Sequence, residues 1–332
     1  MTMNVFAGRR LSRTLALLMG AGALALSMSA QAAWPEKPIQ MIVPFPPGSS
    51  PDTLARAIAE PLSADLGQPV VVENKSGAGG NIGTRYASRA KPDGYTLLLT
   101  INGPMVTAPA LYKKTLGYDP LKDLAPISLV GTSPNVLVVP EKSRVKSVKD
   151  FVDAAKSSPG ALNYGTVGPG SSSHLGMAML EHQADIKLEQ IPYPGFPQVI
   201  MAIINNDVQA GFMVPGIAMP QVAAGKARAL AITSLEPSDV LPGIPTMASQ
   251  GYPGFESISW DALFVPAGTP EDIVARLNAT VGKILQRDDI RKQMAALYFT
   301  PAPSSPQALT DLIINETARW EELIDRLGLS LD

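Results

Sequence analysis

The sequence predicts an α/β fold of two lobes around a cleft, each lobe a mainly parallel sheet flanked by helices. Three observations carry this. From Ile39 onward, short β-branched runs alternate with segments of helical period, the pattern of parallel strands joined by covering helices. About 300 residues follow the N-terminal segment, more than one hydrophobic core usually organises. The last third holds one clear strand and two or three helices, too little for a domain, so it is expected to return to the first lobe and complete it.

In chain order, 39–43, 70–72 and 96–99 read as strands of the first lobe, and Leu54, Ile58 and Leu62 share one face of the helix after the first strand. A second set of strands lies at 136–139, 162–164, 188–191, 209–213 and 229–233. Between them, Ser147 and Asp150 resemble a capping box ahead of Phe151, and Val199, Ile200, Ile203 and Ile204 form an apolar face after Pro197. After a strand at 260–265, Thr269-Pro270-Glu271-Asp272 reads as a helix start. A final helix carries Leu309, Leu312, Ile313, Trp320, Leu323 and Ile324. The expected division is a signal peptide at 1–32, the first part of lobe 1 at 33–132, lobe 2 at 133–255, and a return segment at 256–332. The crossings fall near 131–135 and 254–259.

The signal peptide rests on Arg9, Arg10 and Arg13 before an apolar run at 15–28 that ends in Ala30-Gln31-Ala32, with cleavage expected after Ala32. Its loss removes three arginines and no acids, taking the formal charge from −2 to −5. That excludes a basic nucleic-acid footprint. The chain has no cysteine, which excludes a lipid-anchoring cysteine, a disulfide framework, a thiolate metal site and a cysteine nucleophile. No later segment is long and apolar enough to span a bilayer, so the exported product is expected to be soluble.

Three glycine-bearing turns follow predicted strands and open predicted helices: Phe45-Pro46-Pro47-Gly48-Ser49-Ser50-Pro51-Asp52-Thr53, Gly77-Ala78-Gly79-Gly80-Asn81, and Gly165-Thr166-Val167-Gly168-Pro169-Gly170-Ser171-Ser172-Ser173-His174. At a helix start, backbone N–H groups lack intrahelical partners and the dipole adds positive charge, so a carboxylate can be held there without a basic side chain. Each turn alone is also an ordinary capped strand-to-helix connection. Two of them on facing lobes, beyond the carboxyl ends of strands, point to a ligand. The glycines at 77, 79, 80 and 83 depart from the dinucleotide spacing, and His174 and His182 have no motif partner for zinc. Neither a cofactor nor a metal is expected. Phe45, Tyr193, Phe212 and Trp260 sit beside strand ends or Gly/Pro turns, with cleft lining and core packing both open. Asp52 reads either as a helix cap or as the receiver of a ligand's amino or hydroxyl group.

Together with Trp34-Pro35-Glu36-Lys37-Pro38, Val72-Glu73-Asn74-Lys75, Pro92-Asp93-Gly94-Tyr95, Gly225-Lys226-Ala227-Arg228 and Pro266-Ala267-Gly268-Thr269-Pro270, these turns are shared, in order and spacing, with a known family. The chain resembles the periplasmic substrate-binding proteins of tripartite tricarboxylate transporters, also called the Bug family, over essentially its whole mature length. The resemblance implies a type II periplasmic binding-protein fold in the periplasm, a small organic acid as ligand, and the membrane components of a tripartite transporter as partners of a monomer. It implies a ligand carboxylate held by Gly48, Ser49, Ser50 and Thr53 on one lobe and Gly170, Ser171 and Ser172 on the other. Phe45 and Ala78 would lie alongside and Tyr193 at the ligand's far end; Asp52, Asn102, Thr166, His174 and Phe212 complete the candidate set. The chain departs from the family in four places. Pro51 removes one N–H donor. Ile101-Asn102-Gly103-Pro104-Met105 replaces a hydroxyl-rich segment, Tyr193 precedes Pro194 rather than a basic residue, and Phe212-Met213-Val214 is apolar. The expected ligand is therefore a monocarboxylate or aromatic acid rather than citrate. Two rivals remain. One is an exported hydrolase using a serine of 171–173 with His174; the other is a ligand-sensing partner of a membrane receptor.

Overall fold

A computed structural model describes residues 34–332; the expected signal peptide lies outside the described residues. Residues 37–332 form one unit. It opens with β1 (Ile39–Val43), α1 (Ser50–Leu66), β2 (Val70–Asn74), α2 (Asn81–Ser88) and β3 (Thr96–Ile101). A π-type turn at Gly103–Thr107 leads into α3 (Ala108–Leu111) and β4 (Leu124–Pro134). Next come β5 (Val136–Pro140), α4 (Val148–Ser157), β6 (Asn163–Thr166), α5 (Ser172–Ala184) and β7 (Glu189–Pro192), then α6 (Phe196–Asn205), β8 (Gly211–Met213), α7 (Pro215–Ala223) and β9 (Ala227–Ile232). The chain ends with β10 (Ile258–Pro266), α8 (Glu271–Ile284), α9 (Asp288–Ala296), β11 (Thr300–Pro301) and α10 (Pro306–Arg326).

The first lobe is a six-stranded sheet in the order β11-β4-β10-β3-β1-β2. β1 is buried along its length except for Gln40, as a strand covered on both faces requires. It pairs in parallel with β2 and β3. β10 runs antiparallel between β3 and β4, and β11 antiparallel to β4. The expected parallel pairing thus holds where one helix joins consecutive strands. The sheet is mixed because β10 arrives from the other lobe rather than over a helical crossover, so nothing fixes its direction as parallel. In the second lobe β5 is antiparallel to β8 and β9, while β6 and β7 are parallel.

Helix boundaries follow local chemistry. α1 opens at Ser49 with a proline in its first turn and ends on Gly67, which is left-handed and returns its N–H to the Ser63 carbonyl. Ser147 and Ser305 cap α4 and α10 through the amides of Asp150 and Ala308. α10 buries Leu309, Ile313, Glu316, Trp320, Leu323 and Ile324 as one stripe against Trp260, Ala262 and Phe264 of β10. Separate apolar clusters fill the second lobe, one around Phe151, Phe212 and Phe255 and another around Val136, Val199 and Ile232.

The chain leaves the large sheet after Pro134 and re-enters it at Ile258. Asn135 ties the two crossings together: its N–H donates to Thr233 Oγ1 and its Nδ2 to the Ser257 carbonyl, which also accepts from Thr233 Oγ1 at 2.7 Å. Among the described residues no helix is long and apolar enough to cross a membrane.

Candidate functional site

A cavity of about 700 Å³ is lined by Phe45, Gly48, Ser49 and Ser50 at the start of α1 and by Gly170, Ser171 and Ser172 at the start of α5. The turn between β1 and α1 is held from below by Asp52. Its carboxylate accepts from the Gly48 amide at 2.8 Å, from Asn74 Nδ2 at 2.8 Å and from Arg56 Nε at 3.1 Å. Asn74 also donates to the Phe45 carbonyl. Burial pushes the Asp52 carboxyl up, but the Arg56, Gly48 and Asn74 hydrogen bonds more than reverse this and hold it below the usual carboxylate value. Asp52 is buried, its acceptor capacity is spent on the turn, and it does not line the cavity. Of its two sequence readings, the local structural one describes what the side chain touches. Thr53 likewise turns inward along the helix, its hydroxyl donating to the Ser49 carbonyl.

Phe45 keeps its place at the cavity because Gly80 makes room for it. At Gly80 φ is +99°, and a Cβ would stand 2.7 Å from Phe45 Cζ and 2.9 Å from Pro104 Cγ, so the close approach requires glycine. Ala78, Asn81, Ile101 and Asn102 continue this wall. Asn102 Nδ2 donates to the Ile258 carbonyl at 3.1 Å, fixing the end of β3 to the start of β10.

The facing loop is self-braced. Ser171 Oγ donates to the Gly168 carbonyl at 2.7 Å, lies 3.0 Å from Ser173 Oγ and accepts from the His174 amide. The Gly170 N–H donates to His174 Nδ1 at 3.0 Å. Burial pushes the imidazole below its ordinary value, which suits a neutral ring accepting at Nδ1. Thr166 Oγ1 accepts from the Gly168 amide and from Gln190 Nε2. His174 and Thr166 are buried behind the loop and shape it rather than line the cavity. The first-turn amides of α1 and α5 are left without intrahelical partners. Pro51 leaves α1 one N–H short of the usual set.

Two aromatic candidates lie elsewhere. Phe212 is fully buried and stacks on Phe255 at 5.7 Å between ring centroids, so it is a core residue of the second lobe. Tyr193 donates its amide to the Thr166 carbonyl and packs with the cluster around Val199; Phe196 and Pro197, at the start of α6, reach the cavity instead. Trp260 is core, its Nε1 donating to the buried Glu316 carboxyl at 3.0 Å.

Sequence reasoning missed the floor. Ser133 of β4 and Ser257, Ser259 and Asp261 from the return strand line the cavity, as do Val214 to Ile217 at the start of α7. The signal was available in Ser257-x-Ser259-x-Asp261, a period of two that places all three on one face of a strand. A hollow of about 800 Å³ between α1 and α9 is slightly larger, but of the glycine turns it takes in only Thr53 at the end of the first. Both of its arginines pair locally, Arg56 with Asp52 and Arg287 with Asp289. We therefore place the candidate site between the loops.

Comparison with known proteins follows the same lines. BugT of Bordetella pertussis (strain Tohama I) is 34% identical over 322 residues, 97% of this chain and 98% of BugT. The R. palustris protein Rpa4515 with adipate superimposes with a TM-score of 0.80 at 33% identity, covering 90% of this chain and 100% of that one. MatC from Rhodopseudomonas palustris with bound malate gives 0.75 at 33% identity over 88% of this chain and 100% of MatC. Residues 54–329 match the tripartite tricarboxylate transporter family receptor. That match takes in both crossings, the second-lobe loop and most of the first lobe, so the chain belongs to this receptor family and has the periplasmic binding-protein fold.

Proposed function

We propose that this chain is a periplasmic solute receptor that holds a small organic acid between two lobes, 33–132 with 256–332 and 133–255, and presents it to a tripartite-type membrane transporter. One observation carries the reading. Two helix starts, α1 and α5, converge on a cavity that no Lys, Arg or His side chain lines among the described residues. Such a site accepts a single carboxylate through backbone N–H groups and hydroxyls, with the helix dipoles supplying the positive potential. The ligand bridges both loops, so it binds the closed arrangement better than an open one and selects it. The adipate and malate of the related structures support a small aliphatic organic acid as the ligand class. Absence of a basic residue favours one carboxylate at this end over the three of citrate.

The hydrolase alternative finds less support. Ser171 Oγ donates to the Gly168 carbonyl, and His174 Nδ1 is engaged by the Gly170 amide rather than by a carboxylate. A nucleophile oriented by a base, itself oriented by a third group, has no counterpart in these contacts. A thermal-shift panel of mono-, di- and tricarboxylates, aromatic acids and amino acids, on protein refolded to strip bound ligand, tests the proposal. A ligand at a hundred times its Kd adds about 2.7 kcal/mol of stability. The expected result is a selective shift lost in Ser172→Pro, which suits the first helical position and so keeps the α5 start while removing that residue's amide and hydroxyl. No shift from any acid, or ester turnover lost in Ser172→Ala, would refute it.

A further inference from the structure

The floor of the cavity carries one carboxyl group that the fold does not use. Asp261 lines the cavity and is only 1% exposed. Among the described residues it has no hydrogen-bond or ion-pair partner, and its Oδ1 is buried and unpaired. The position is built. Opposite it β4 carries an extra residue, Val130, since the partners of Asp261 and Ala262 are Gly131 and Leu129, a bulge of the kind found next to binding sites. Trp260 and Ala262 point the other way, into the core against α10. Asp261 therefore continues the face that presents Ser257 and Ser259 to the cavity, with Ser259 opposite Ser133 in register. Ser133 Oγ is also buried without a partner.

A buried carboxyl with no partner is costly when ionised and is kept only where something repays it. Asp261 and Tyr112 are the two ionisable side chains lining the cavity among the described residues. A ligand with a second carboxylate would bring its charge to a floor with no cation. A ligand with a carboxylate at one end and an ammonium at the other would match both ends, the ammonium pairing with Asp261 and the carboxylate left to the two helix starts. From this juxtaposition we infer that Asp261 is a specificity-determining residue that pairs with a ligand's ammonium group, making the ligand class an aminocarboxylate. This rests on the carboxylate reading under Proposed function and extends it to the ligand's far end.

Burial pushes the Asp261 carboxyl well above its usual value, because a charge there has neither water nor a partner to stabilise it. An ammonium beside it favours the carboxylate, so any proton the empty site holds passes to the buffer as the carboxylate accepts N–H hydrogen bonds from the ammonium. Ser133 and Ser259, opposite each other in register, line the same cavity.

The experiment uses three series of increasing chain length with the full mature chain: glycine, β-alanine, 4-aminobutyrate and 5-aminovalerate; the corresponding plain monocarboxylates; and the corresponding dicarboxylates. Calorimetry in buffers of different ionisation enthalpy reads both affinity and proton release. The expected result is tightest binding within the amino series, with release of up to one proton per ligand. Asp261→Asn, which keeps the shape and removes the charge, should weaken the best aminocarboxylate on the order of a hundredfold and leave the plain acid of equal length within a few-fold. Its melting temperature should be unchanged or higher, since a buried unpaired acid is replaced by a neutral amide. If carboxylates bind but an amine adds nothing, or Asp261→Asn keeps the amine preference, the inference on Asp261 falls and the receptor reading stands. If no series binds, the receptor reading falls as well.

Discussion

Replacing Gly170 with alanine tests whether the two loops must meet as the structure has them. Gly170 has φ of +75°, and a Cβ there would lie 2.5 Å from Leu111 Cδ1. Two costs follow. A left-handed backbone costs an L-residue about 1–2 kcal/mol. The overlap with Leu111, a buried side chain packed into the first-lobe core, adds roughly 1–3 kcal/mol of overpacking. They respond differently to opening. Leu111 precedes β4 and Gly170 lies between β5 and β9, so parting of the lobes relieves the second cost and leaves the first. Ligand-free protein should therefore lose about 1–2 kcal/mol in denaturant unfolding. Binding, which needs the loops together, should weaken by a further 5- to 150-fold, roughly.

Calorimetry with the best acid from the panel, on Gly170→Ala, Leu111→Ala and the double variant, separates the two. Leu111→Ala removes the atom that the new Cβ would strike. The double variant should then recover much of the affinity lost by Gly170→Ala, with a coupling of about 1 kcal/mol or more. Strict additivity, or unchanged affinity in Gly170→Ala, would refute the claim that ligand holds the Gly170 turn against Leu111.

Three other expectations can be tested directly. Asp52→Ala deprives the Gly48 amide and Asn74 of their acceptor and should cost about 1.5–3 kcal/mol in chemical unfolding. Because the folded Asp52 value is lowered, its contribution is complete above the ordinary value of 3.8 and is lost as pH falls through the folded value, so the variant's acid limb should be flatter. His174 is pushed down from 6.5; the stability tied to its neutral ring is complete above that pH and fades as pH falls through the lower folded value. Unfolding free energies between about pH 5 and 7.5 should show this slope in the parent and lose it in His174→Gln. Phe212→Ala should cost about 3–5 kcal/mol of stability while leaving the ranking of acids in the panel unaltered, since the ring packs on Phe255; a changed ranking would return Phe212 to the site.

What could be read in the sequence divides along physical lines. The helix starts at Ser50 and Ser172 were legible because capping is local: a serine, a proline or glycine nearby and an apolar period after it are consecutive residues. The same holds for β1, whose Ile-Gln-Met-Ile-Val run reads as a covered strand wherever it lies. β4 was missed because Pro126, Gly131 and Pro134 punctuate it and its eleven residues hold only through pairing with β10, more than a hundred residues later. Phe212 and Tyr193 were drawn toward the site by their neighbours in sequence, whereas their neighbours in space are Phe255 and Val199.

The floor is the instructive case. An alternation such as Ser257-x-Ser259-x-Asp261 on an edge strand would face water and mean nothing more than a solvated surface. Here β10 lies between β3 and β4, which shuts those side chains away from bulk solvent and leaves the cavity as their outlet. Local sequence thus specifies the backbone donors that would take a carboxylate. The character of the opposite end depends on where the returning strand inserts, and that insertion is what turns an ordinary aspartate into a buried carboxyl whose Oδ1 has no partner.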